Sequence, residues 1–123
     1  MNVPLGIVVD PASNQLVVAN AGDDSVLFFD RNAAGDAAPV RVLKGPATNI
    51  RGPSGVSVDR KRNELWVTNW ENHTATVFPR SAEGNVAPLR LIRTAGKDVP
   101  TPGFGTAGAI AIDPKRNQIL IPN

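Results

Sequence analysis

The sequence predicts an all-β protein made of repeated four-stranded antiparallel sheets, and three observations carry that prediction. Residues 6–45 align with 55–94 at an offset of 49, with 14 of 40 positions identical, and the front of the unit recurs at Ala109 to Asn123 at an offset of 54. Such periods mark solenoids, propellers or arrays. Within each unit the apolar runs are short and β-branched, too short for amphipathic helices. Between them lie turn formers, with 11 Gly and 11 Pro in 123 residues, as expected of strands joined by hairpins.

Taken in order, Ile7-Val8-Val9 is a first strand, closed by the turn chemistry of Asp10-Pro11-Ala12-Ser13-Asn14. Leu16-Val17-Val18 is a second, and Asn20 to Ser25 a polar bend. Val26-Leu27-Phe28-Phe29 is a third, Asn32 to Asp36 a turn containing Gly35, and Val40 to Leu43 a fourth strand. The second copy repeats this with Val56 to Val58, Leu65 to Val67, Ala75 to Phe78 and Leu89 to Ile92. The third gives Ile110 to Ile112 and Ile119 to Ile121. Four-stranded sheets at this period read as β-propeller blades. The inner strands are nearly continuous apolar runs, as in sheets packed on both faces.

The expected organisation is a single incomplete propeller over 1–123, with blade 1 at about 4–45, blade 2 at about 53–94 and a half blade at about 107–123. Two and a half blades do not close a ring, and a propeller protects its sheet edges by closing. The chain is therefore expected to be an excerpt of a longer propeller or a unit that self-associates. The linkers Gly45 to Ser54 and Thr94 to Ala107 are rich in Pro and Gly. The second is the longest irregular stretch, expected to be a functional or mobile loop.

Composition excludes several classes. A net charge of +2 is too small to argue for nucleic acid. Without cysteine there is no disulfide framework or thiolate chemistry. The absence of cysteine suits an oxidising compartment, which leans the expected setting to secreted or periplasmic. No apolar run approaches membrane-spanning length, so no membrane partner is expected. MNVPLG has neither the basic nor the long apolar region of a signal peptide. No Gly-rich phosphate loop and no nucleophile elbow is present, and no cofactor is expected.

At Gly55-Val56-Ser57-Val58-Asp59, Leu65-Trp66-Val67-Thr68-Asn69, Asn72-His73 and Val77-Phe78 the chain resembles the NHL repeat. The tail Gly84 to Arg90, echoed by Gly35 to Arg41, is similar to a form common in bacterial NHL-like and YVTN-type propellers. Copy one departs from the pattern with Asp23-Asp24 where Asn-His falls, and Thr74 follows His73 where the family usually has Arg or Leu. The resemblance implies a propeller and leaves function open, because related propellers include binding scaffolds for protein or RNA as well as lactonases and lyases.

Candidate sites follow from these positions. Asp10, Asp59 and Asp113, each with an Asn four residues on (Asn14, Asn63, Asn117), are expected to make turns rather than a carboxylate ring. Asn20, Asn69 and Asn123 end the second strand of each copy. In the gluconolactonase-like enzymes the chain resembles, polar residues at that channel mouth hold a divalent metal. Three neutral amides make a poor site for a hard cation, and no metal is expected. His73 is the only histidine, a candidate general base in a lyase-like reading. Trp70, with Glu71 and His73, lies in the bend on the same face as both linkers, and is a candidate anchor for a partner or sugar ring. Trp66 is expected in the core. Arg60, Lys61, Arg62, Lys115 and Arg116 fall in turns on one face and form a candidate anion patch.

The expected function is a non-catalytic interaction scaffold, binding a protein or small-molecule ligand on the loop face through Trp70, Glu71, His73, Asn69 and Asn20. The alternatives are a fragment of a lactonase- or lyase-type enzyme, and a structural protein assembling through open blade edges.

Overall fold

The computed structural model describes residues 4–11, 13–33, 35, 37–93, 111–113 and 118–120. Among the described residues, ten strands make three antiparallel sheets. The first holds β1 (Pro4–Asp10), β2 (Gln15–Asn20), β3 (Ser25–Asp30) and β4 (Arg41–Lys44), in that order. The second repeats it with β5 (Pro53–Asp59), β6 (Glu64–Asn69), β7 (Thr74–Pro79) and β8 (Arg90–Ile92). The third pairs β9 (Ala111–Asp113) with β10 (Gln118–Leu120), and β9 lies against β5.

The two four-stranded sheets match in detail at the offset of 49. Both inner strands carry a register shift, between Pro4 and Gly6 and between Pro53 and Gly55. Both first turns end on a left-handed asparagine, Asn14 (φ 58°) and Asn63 (φ 54°). The next turn donates back to that asparagine in each case: Arg31 N to Asn14 O at 3.0 Å, and Arg80 N to Asn63 O at 2.9 Å. The repeated aspartate is turn chemistry, since Asp59 Oδ1 accepts from the backbone N–H groups of Lys61 and Arg62 at 3.1 and 3.2 Å.

The core lies between the sheets. Val17, Ala19, Val26, Phe28 and Leu43 from the front of the first sheet meet Val56, Leu65, Val67 and Phe78 from the back of the second. Each of the valine, leucine and phenylalanine side chains contributes roughly 1.5–3 kcal/mol by leaving water. The inner strands approach closely at Gly6, where a Cβ would fall 2.8 Å from Ser54 O and 3.1 Å from Gly55 Cα. Strands β2 and β6 are buried along most of their length, as the apolar runs predict. β1 differs. Leu5, Ile7 and Val9, on its other face, are 51%, 66% and 43% exposed.

The tail motif also finds its physical reason. The segment from Pro79 to Leu89 runs along the outer strand of the first sheet. Gly84 forms a parallel bridge with Leu43, its N–H donating to Val42 O at 2.7 Å and its carbonyl accepting from Lys44 N at 3.1 Å. Asn85 Oδ1 accepts from Ala47 N at 2.8 Å. This clasp covers an otherwise open sheet edge.

Candidate loop-face site and its relatives

The β2–β3 and β6–β7 bends share one end of the sheets with the linker between β4 and β5. That linker has a 3-10 turn at Pro46–Thr48 and a left-handed Asn49 (φ 60°). It then crosses to the second sheet by bonds at every step. Gly52 N donates to Asp24 Oδ1 at 2.7 Å, and Arg51 N donates to Asn69 Oδ1 at 3.2 Å. Trp70 N and Glu71 N donate back to the carbonyls of Gly52 and Arg51 at 3.1 and 3.3 Å.

Trp70 is 44% exposed and rests on Gly52. Gly52 has φ +59°, and a Cβ there would meet Glu71 Cγ at 2.6 Å and Trp70 Nε1 at 2.9 Å. Its glycine is therefore required twice, by backbone conformation and by the indole. The linker from Thr94 to Ala107, expected on the same face as Trp70, lies outside the described residues.

Arg51 was not legible as a site residue, having no counterpart in the repeat. Its Nε lies 3.7 Å from Asp24 Oδ2 and 3.6 Å from Glu71 Oε2, with 63% of the side chain exposed. Asn72 Nδ2 donates to Asn49 O at 3.1 Å. Together Gly45, Pro46, Asn49, Ile50, Arg51, Glu71 and Asn72 line an open cleft of about 670 Å³.

The expected binding residues therefore divide. Trp70 and Glu71 are at the surface. His73 is half-buried, in left-handed backbone (φ 56°), at the register of Asp24 (φ 51°). Asn20 and Asn69 correct the sequence reading, for both are 1% exposed and their amides work inside the sheets. Asn69 Nδ2 donates to Thr76 Oγ1 at 3.1 Å and Asn20 Nδ2 to Ser25 Oγ at 3.2 Å. A strand-ending amide that satisfies buried hydroxyls has no surface left to offer a ligand.

The opposite end carries the other candidate. Arg60, Lys61 and Arg62 are exposed, with Arg62 Nη1 held 3.0 Å from Asp59 Oδ2. The side chains of Lys115 and Arg116 lie outside the described residues. Beside this turn, Asp10, Ser13, Gln15, Arg41, Arg80, Ser81 and Glu83 line a polar cleft of about 390 Å³ between the first two sheets. Arg41 is its organising group. Its ring-facing guanidinium sits 3.8 Å from the Phe28 centroid. Burial pushes its pKa down, opposed by Glu83 and Asp10, and an arginine remains a cation throughout the ordinary range. Among the described residues, no group of three or more His, Cys, Asp or Glu side chains is placed to hold a metal ion.

Comparison with known proteins agrees with this geometry. Residues 51–78 match the NHL repeat, and both four-stranded antiparallel sheets have the architecture of β-propeller blades. Among solved structures, the chain is similar to the Kuenenia stuttgartiensis hydrazine synthase, at 19% identity and a TM-score of 0.67. The match covers 96% of this chain and 28% of that one, so the chain spans less than a third of its structural relative. At that identity the likeness is one of fold. No curated protein matches in sequence.

Proposed function

We infer that this propeller segment is a binding module whose ligand docks at the cleft between the β4–β5 linker and the β6–β7 bend. The observation that carries this reading is the exposed indole of Trp70 held on Gly52, next in the chain to the exposed Arg51 and Glu71 that line that cleft. An aromatic face next to a cation and an anion suits a ligand with an apolar or ring face and polar groups at its edge, such as a peptide segment or a sugar. The linker is fastened by backbone bonds to both blades, so little ordering accompanies binding.

The test is a thermal-shift screen of peptides and saccharides against the wild type, Trp70→Ala and Arg51→Ala. A ligand that raises the wild-type Tm and loses that effect in both variants supports the site. Ligands whose shifts survive both substitutions overturn it.

A further inference from the structure

The polar cleft between the first two sheets, at the end opposite the loop-face cleft, departs from the repeat in its charges. In the second blade the four charges at this register are matched in two pairs. Arg62 Nη1 lies 3.0 Å from Asp59 Oδ2, and Arg90 holds Glu64 with both nitrogens at 3.0 and 2.9 Å. In the first blade, at the offset of 49, Ser13 stands for Arg62 and Gln15 stands for Glu64. Arg41, the counterpart of Arg90, therefore meets no carboxylate. Its hydrogen-bond partners are all neutral: the carbonyls of Arg80 and Ala82, and Gln15 Oε1.

Two charged groups on the cleft wall are left open. Arg80 Nε lies 3.6 Å from Asp10 Oδ2, and only 27% of its side chain is exposed. Yet neither Nη1 nor Nη2 of Arg80 donates to a described residue. Glu83, three residues on, is exposed, and its carboxylate forms no ion pair or hydrogen bond among the described residues. Arg80 and Glu83 line one cleft and do not close on each other. With Arg41 and Asp10 the wall carries two guanidinium groups and two carboxylates, so it has no net charge. A plain anion is repelled by Glu83, and a plain cation by Arg80 and Arg41. The volume of about 390 Å³ suits a small ligand.

We propose that this cleft binds a free α-amino acid, with its carboxylate on the Nη1 and Nη2 groups of Arg80 and its ammonium at Glu83. A guanidinium fork recognises a carboxylate through two parallel charge-assisted hydrogen bonds. The ammonium turns the repulsion of Glu83 into attraction. The bound carboxylate also supplies, beside Arg41, the negative charge that Gln15 does not.

The experiment is a titration of the ¹⁵N-labelled chain with the free L-amino acids, each tested singly, followed by backbone amide shifts. Those that bind are tested again as N-acetyl and C-amide derivatives, which lack the ammonium and the carboxylate respectively. At least one amino acid should move the amides of Ser13, Ser81 and Glu83, with a Kd of about 1 mM or tighter, and leave those of Arg51 and Glu71 in place. Either derivative should bind about tenfold more weakly or worse. Arg80→Gln should abolish binding. Because that change also takes a partner from the buried Asp10, Glu83→Gln is the deciding variant: it breaks no contact, should keep the wild-type melt, and should bring the N-acetyl form and the free amino acid to similar affinity. No shift at these amides with any amino acid at about 10 mM overturns the proposal. Equal binding of the free and N-acetyl forms by the wild type overturns it too, as does binding that Glu83→Gln leaves unchanged, because the cleft then reads a carboxylate alone.

Discussion

Arg41 on the outer strand of the first blade donates from Nη1 to the carbonyl of Ala82 in the second, at 3.0 Å. The same guanidinium reaches Arg80 O and Gln15 Oε1 and stacks on Phe28. One side chain therefore joins three strands of one sheet to a turn of the next. Lysine cannot reproduce a planar fork of this kind.

Replacing it tests the join. Arg41→Ala should cost about 2 kcal/mol, from charged hydrogen bonds and the ring contact together. Arg41→Lys should recover less than half of that. Urea unfolding at constant slope is the measurement, and a loss under about 0.5 kcal/mol would show the fastening to be incidental.

Gly6→Ala probes the inner end of the same interface. The new Cβ would lie 2.8 Å from Ser54 O, a backbone atom that cannot swing aside. The inner strands must separate, at a cost of about 1–3 kcal/mol, read as a lower Tm. A Tm equal to that of the wild type would mean that the blades shift freely against each other.

Much of this was legible in the chain. The offset of 49 and the short apolar runs give both four-stranded sheets, and the Asp-to-Asn spacing gives their turns, because a repeated residue serves the unit that repeats. The β1 stripe was not legible: Ile7 and Val56 are the same kind of residue at the same register, and burial separates them only through their neighbours. Asn20 and Asn69 misled for a related reason. A polar residue at a strand end looks like surface, but here buried serine and threonine hydroxyls consume its amide. Arg51 lies in a linker that does not repeat in kind, so only the fold places it between Asp24 and Glu71.

Arg90 and Glu64 give a further test. The guanidinium meets the carboxylate with both nitrogens, at 3.0 and 2.9 Å, and Glu64 is buried. Arg90→Leu should cost about 2 kcal/mol, below the range for wholly buried pairs because Arg90 is half exposed. The double change Arg90→Leu with Glu64→Leu should cost less than that single change, since no carboxylate is then left without its partner. A double-mutant cycle by chemical denaturation checks the sign, and simple additivity would refute the coupling.

The two tryptophans should behave oppositely. Trp66 is 5% exposed, and its buried indole N–H has no hydrogen-bond acceptor among the described residues. An unmet donor of that kind costs about 1–3 kcal/mol. Trp66→Phe removes it along with some packing, so the net change in stability should stay within about 1 kcal/mol. Trp70→Phe removes an exposed ring and should leave the melt nearly unchanged. The spectra then separate the residues. The Trp70→Phe protein should emit at shorter wavelength and resist acrylamide, while Trp66→Phe should emit to the red and be quenched readily. If both variants quench alike, the indole of Trp70 is covered in solution, and the loop-face cleft loses the anchor on which its ligand is proposed to rest.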